Sequence, residues 1–254
     1  MRFACLGSGS KGNAWLVQAG GTRVMVDCGF GPREAARRLA RLGVAVDELD
    51  AILVTHEHSD HGRGAAKLAQ RARCAVWASH GSHAMLAAMG EGPLAAQMID
   101  GHAPFSVGDL AITPYPVPHD AREPLQFVFS DGAARFGLLT DAGHVTPHME
   151  AVLADCDALA LECNHDVAAL QAGSYPPALK RRILGRYGHL DNGAAADLLG
   201  RLAGPRLRHV VAAHLSQENN TPDLARDALA GALGCGPDWI AVADQENGLD
   251  WRDI

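Results

Sequence analysis

Residues 53–64, LVTHEHSDHGRG, constrain this chain more than any other stretch, because three histidines and two acids crowd into six positions between an apolar run and a glycine. The run before it, DAILVT (50–55), reads as a short buried strand, and GRGAAKLAQRA (62–72) after it reads as a helix. The cluster therefore stands at a strand end. In an extended segment, side chains two apart project to the same side, so His56 and His58 can share one ion. Asp60 and His61 come as the chain turns into the helix near Gly62, facing a different point within reach of a second ion. Neutral imidazole and carboxylate suit Zn²⁺, Mn²⁺ or Fe, and two such ions roughly 3.5–4 Å apart can activate a water at neutral pH. Closely spaced ions need rigid support from several sides, so further ligands are expected at other strand ends. His119 in PVPHDA, Asp141 in LLTDAG and His214 in VVAAHLS occupy such places.

The surrounding pattern is that of an α/β protein. RFACLG (2–7), AWLVQA (14–19) and TRVMVD (22–27) read as strands separated by glycine-rich turns, and residues 32–42 as a helix with Pro32 in its first turn. CAVWAS (74–79) is a strand, and SHAMLAAM (82–89) a helix. The second half repeats the theme in residues 105–120, 125–143 and 156–166, each apolar run stopping at a polar tip. Helices are expected over 176–187, 192–203 and 221–233, with a strand at 208–216 between the last two. No linker or repeat divides the chain, so one domain over 1–254 is expected, built as a sheet sandwich with helices outside.

Composition narrows the functional classes. The 254 residues are 48% hydrophobic, ample for a buried core, and no window approaches the roughly 18 apolar residues of a membrane span. The start lacks a basic segment followed by an apolar secretory core, so a cytoplasmic location is expected, with no membrane partner. Six scattered cysteines without CxxC spacing suggest buried small hydrophobes, not disulfides or a thiolate zinc site. A net charge of −7 argues against coating nucleic acid by general electrostatics, but leaves room for a local cationic pocket. The 13 histidines are about twice the usual share. Of these, His80, His83, His102, His144, His148 and His209 are read as surface or structural.

The order HxHxDH, His, Asp, His over nearly the whole chain resembles the metallo-β-lactamase fold superfamily. That resemblance implies an αββα four-layer sandwich with a dinuclear metal site at one edge of its two sheets. It would place His56, His58 and His119 on a first metal, and Asp60, His61 and His214 on a second, with Asp141 bridging. Asp27, ending TRVMVD, would brace the histidine loop from behind. LGSGSKGNAWLV (6–17), ALECNHD (160–166), SYPPALKRRI (174–183), GHLDN (188–192) and AAHLSQENNTPDLA (212–225) together resemble the YycJ family, described as DNA exonuclease-like phosphodiesterases related to ribonucleases Z and J. Asp191 departs from that pattern, where serine is expected.

The resemblance implies a nucleic-acid substrate, and the residues suit phosphodiester hydrolysis. Asp60 is placed to orient or deprotonate the attacking water, and His189 to bind phosphate or protonate the leaving oxygen. Because the chain stays acidic even with two divalent ions, attraction to DNA must come from clustered cations: Lys180, Arg181, Arg182 and Arg186, with Lys11 in the first loop. SGSKGN could present Asn13 to a phosphate or brace the metal loop, and the family resemblance places Asn164 and His165 around the active site. Two other functions use the same ligand set: a thioesterase of glyoxalase II type, for which the KRR run would be a glutathione patch, and a non-catalytic metal-binding regulator. Release of thiol from S-lactoylglutathione would mark the first, and unchanged cellular function after Asp60→Ala the second. Metal identity and oligomeric state are not fixed by these residues.

Overall fold

Alternation within the strands decides the layers. In β1 (Arg2–Gly7), Phe3 and Cys5 point one way and Ala4 and Leu6 the other, yet all four are fully buried. Such a strand must be covered on both faces. The computed structural model, which describes residues 1–88 and 96–254, shows how. One sheet runs in the order β14 (Leu249–Asp253), β1, β2 (Ala14–Ala19), β3 (Thr22–Val26), β4 (Ala51–Leu53), β5 (Ala75–Ser79), β6 (Ala96–Ile99). The other runs β13 (Ala241–Val242), β12 (His209–Ala213), β11 (Ala158–Glu162), β10 (Arg135–Leu139), β9 (Leu125–Ser130), β8 (Leu110–Pro116), β7 (Phe105–Val107).

Each sheet is half antiparallel and half parallel. From β3 to β6 and from β10 to β13 all neighbours are parallel, so these strands end at the same edge. Between the sheets lie Phe3, Trp15, Val26, Leu53, Phe127 and Phe136. Phe3 and Phe136 stack across the interface at 4.3 Å, worth about 0.5–1.5 kcal/mol beyond burial itself.

Helices α1 (Pro32–Arg41), α3 (Ala65–Ala72) and α4 (His80–Ala88) cover the outer face of the first sheet. On the second, α5 (Pro147–Leu153), α8 (Asn192–Leu202) and α9 (Pro222–Leu233) do the same. The four layers are thus the expected αββα sandwich. Short helices α2 (Ser59–Gly62), α6 (Val167–Ala172) and α7 (Pro177–Ile183) sit in the connections that follow β4 and β11. No disulfide joins the six cysteines, and no described helix is long and apolar enough to cross a membrane.

Local chemistry sets several boundaries. Thr146 and Thr221 accept hydrogen bonds from Met149 N and Leu224 N, each just before a proline that opens α5 or α9. Asp191, the departure from the family pattern, caps α8 by accepting from Gly193 N and Ala194 N. The helix expected over 176–187 stops at Ile183, four residues early. There the chain folds back so that His189 N donates to Ile183 O, and a Cβ at Gly188 would sit 2.0 Å from the same carbonyl oxygen. The helix expected over 82–89 begins earlier, at His80; its last residue, Met89, lies outside the described residues.

Candidate metal centre

The parallel halves of the two sheets converge on one edge, and the histidine loop leaves β4 there. Asp27 follows β3 and anchors that loop: its Oδ1 accepts from Thr55 N at 2.8 Å, and its Oδ2 lies 2.8 Å from His61 Nδ1. A carboxylate at that distance fixes the proton on Nδ1, leaving Nε2 of His61 as a lone pair. Thr55 Oγ1 donates to Asp27, so its 3.0 Å contact with His56 Nδ1 is accepted from the ring. His56 therefore also offers Nε2. The backbone approaches closely to make this possible: Asn13 N donates to Asp60 O, and a Cβ at Gly29 would fall 1.8 Å from that oxygen.

The same reasoning fixes the other rings. His119 Nδ1 donates to Gly188 O (3.0 Å), freeing Nε2, whereas His58 Nε2 donates to Asp120 O (3.2 Å), freeing Nδ1. His214 Nδ1 meets Glu162 Oε1 at 3.2 Å, so its Nε2 is the free atom. His56 Nε2, His214 Nε2 and Asp141 Oδ2 are buried with no hydrogen-bond partner. Leaving three such atoms unpaired is costly unless a cation takes them.

All seven expected ligands come together. His56, His58 and His119 bring one ligand atom each within 4.8 Å of one another, as do Asp60, His61 and His214. Asp141 joins His56 and His61 in one such group and His214 in another, standing between the two triads. This donor set fits divalent metal ions. Asp27, Asp141 and His214 also adopt left-handed backbone, φ 61°, 54° and 55°, each costing on the order of 1–2 kcal/mol.

Electrostatics reinforces the fit. Burial opposes charge on His61, yet Asp141, Asp60 and Asp27 lift its pKa well above the usual histidine range. For His214 burial is again opposed, by the nearby carboxylates of Asp141, Asp60 and Glu162, and the pKa rises to about 10. For His56 the balance reverses: burial, with His61 beside it, outweighs Asp141 and pushes its pKa well below the usual range. Four carboxylates crowd this pocket, and they demand positive charge.

Glu162, at the end of β11, is a functional residue that the sequence reading passed over, although it lies within ALECNHD. It is fully buried and satisfied on every side: Oε1 meets His189 Nδ1 at 2.7 Å and His214 Nδ1 at 3.2 Å, while Oε2 accepts from Ala142 N and Leu190 N. It orients the two rings and has no oxygen to spare for an ion. Burial opposes its charge, but His189 and His214 hold its pKa down to about 2. An acid closing an apolar strand is too common a pattern to have marked it.

An open cleft of about 210 Å³ leads to the cluster, lined by Asp60, Asn164, Arg182 and His189 among others. Arg182 there makes a two-pronged pair with Asp120. The remaining substrate-binding candidates are placed differently. Lys180 Nζ donates to Gln171 O and Gly173 O, both at 2.7 Å, tying α7 to the end of α6. Arg181, Arg186 and Lys11 are exposed and lie outside the cleft lining. Asn13 is buried, bonding Gly9 and reaching Asp60 and His61, which is the bracing arrangement. His165 borders a separate recess behind His189, and His144 Nδ1 donates to Arg186 O.

Two facing mixed sheets, outer helices and this histidine–aspartate cluster at their shared edge define a metallo-β-lactamase-fold protein. The chain belongs to the β-lactamase superfamily, whose domain model matches residues 22–214. It is 34% identical over 240 residues to exodeoxyribonuclease YycJ of Bacillus anthracis, covering 92% of this chain and 89% of that one. Exodeoxyribonuclease WalJ of Streptococcus pneumoniae is 33% identical over 255 residues, covering 99% and 92%. Among solved structures, YhfI from Bacillus subtilis superposes with a TM-score of 0.75 at 16% identity, covering 99% of both chains. Zn²⁺-bound PqqB from Methylobacterium extorquens gives 0.73 at 18%, covering both entirely.

Proposed function

We propose that this protein is a metal-dependent phosphodiesterase that degrades DNA from its ends. The observation that carries the reading is the Glu162–His189 pair set against the seven-ligand cluster, in a chain about one-third identical to two exodeoxyribonucleases. Two divalent ions, Zn²⁺ or Mn²⁺ with Fe as a further candidate, held by His56, His58 and His119 and by Asp60, His61 and His214 with Asp141 shared, would polarise a phosphoryl oxygen and acidify a water.

The chain's own residues supply the rest. Asp60 makes its contacts with Asn13, His61 and His214 through Oδ2, so Oδ1 is left to orient the attacking water by accepting its hydrogen bond. Burial opposes its charge, but His61 and His214 hold this carboxyl well below the usual range, which suits it to orienting the water more than to keeping its proton. His189 has its Nδ1 proton fixed by Glu162, and its other nitrogen carries the proton that the leaving oxygen receives. Burial would keep this ring neutral; the adjacent Glu162 carboxylate outweighs it and raises the pKa. Arg182 can exchange Asp120 for a phosphate, matching its planar fork to two oxygens.

Purified protein supplied with Mn²⁺ or Zn²⁺ should shorten end-labelled single- or double-stranded DNA progressively. Absence of turnover with every divalent metal and DNA form would overturn the reading, and rapid thiol release from S-lactoylglutathione would replace it with the thioesterase.

A further inference from the structure

Behind His189 lies a second recess that the chemistry above leaves unused. It measures about 220 Å³, and His189 borders both it and the metal cleft. Its walls combine apolar surface with hydrogen-bonding groups of both senses. Leu184 stands 45% exposed at the recess, and Leu190 and Ala194 also line it. Asp191 and Asp197 are acceptors there, and Arg201 is a donor.

His165 makes the recess more than a surface dent. It is buried, and its Nδ1 lies 3.3 Å from Asn164 Oδ1, which accepts that proton and leaves Nε2 as an acceptor. Nε2 has no hydrogen-bond partner. A buried acceptor without a donor is uncommon and unfavourable, and the residue that carries it borders a recess shared with His189.

The charge of the lining decides among ligands. Two carboxylates would repel a phosphate, whereas a flat heterocycle with N–H donors and apolar faces matches both the acceptors and the leucines. We infer that this recess is a nucleobase subsite, taking the unpaired base of the terminal nucleotide whose phosphodiester lies across His189 at the metal centre. The inference rests on the nuclease reading for the placing of the phosphate, and it makes a frayed or single-stranded end the preferred substrate. His165 and Asp191 would accept from the base edge, with Asp191 keeping Oδ1 on the helix cap.

Binding separates this inference from catalysis. Calorimetric titration of the metal-loaded protein with dAMP and with deoxyribose 5-phosphate, which lacks the base, should show dAMP binding at least tenfold tighter. Ala194→Phe, which puts a ring into the recess, should bring dAMP within twofold of deoxyribose 5-phosphate and leave the latter unchanged. Should that variant melt early, Leu184→Asp at an exposed position should have the same effect. Equal affinities in the parent protein, or a base-dependent difference that survives in the stably folded variant, would overturn the subsite. Base-dependent binding without DNA cleavage would instead remove the nuclease reading and leave the recess standing. DNA cleavage without base dependence would do the reverse.

Discussion

The two sheets reach the same edge by different means. The first delivers His56, His58, Asp60 and His61 in one continuous loop after β4. The second delivers its groups one at a time, His119 after β8, Asp141 after β10, Glu162 at the end of β11 and His214 after β12. Each half nevertheless relies on one buried carboxylate to fix ring protons: Asp27 on His61, and Glu162 on His214 and His189. A contiguous loop needs a brace only against its own backbone, which Asp27 provides through Thr55 N. Dispersed residues need a brace that crosses strands, and Glu162 supplies it by also accepting from Ala142 N and Leu190 N.

The comparison has a chemical content that substitutions can break. Glu162→Gln is expected to have the largest effect. With its amide oxygen facing Ala142 N and Leu190 N, its NH₂ would face both His189 Nδ1 and His214 Nδ1 and force both rings to the wrong tautomer, of which added metal can reverse only the second. Steady-state kinetics on end-labelled DNA should show kcat falling by about 10²–10⁴, the usual contribution of a positioned acid. Asp27→Asn should act on the other half, lowering metal affinity about 10–100-fold, as seen when a ligand's orienting partner is lost. Metal titration should then restore most of its activity at high ion concentration, which it should not do for Glu162→Gln. If the two variants respond alike to added metal, Glu162 serves only to hold ions through His214 and its contact with His189 moves no proton. The smallest effect belongs to Lys180→Met, which should cost about 1 kcal/mol in thermal unfolding for two lost carbonyl bonds and change DNA affinity less than twofold.

Contiguity also explains what could be read from the sequence. The histidine loop was visible because its ligands share one six-residue window and a strand precedes them. His119, Asp141 and His214 were visible as polar tips of apolar runs, and the layered architecture followed from the same runs. Glu162 was missed because nothing local distinguishes ALALE from any strand that ends in an acid; its partners lie 27 and 52 positions away. The KRR run shows the complementary difficulty. Its charge was plain, but only the packing of α7 against α6 decides that Lys180 turns towards Gln171 and Gly173 while Arg182 reaches the cleft. The overlong helix at 176–187 has the same origin, since helical spacing continues past Ile183 and the fold-back that returns His189 is imposed from outside it.

The left-handed backbone at Asp27, Asp141 and His214 has a consequence for durability. A domain of ordinary size holds its native state by only about 5–15 kcal/mol. Glycine would adopt that conformation without Cβ strain, but at Asp27 it would leave Thr55 N and His61 Nδ1 without their carboxylate partner. This chain carries two acids and an imidazole there. The backbone strain at these three places is therefore offset only through what their side chains bind, and a divalent ion that binds the folded cluster should raise the melting point.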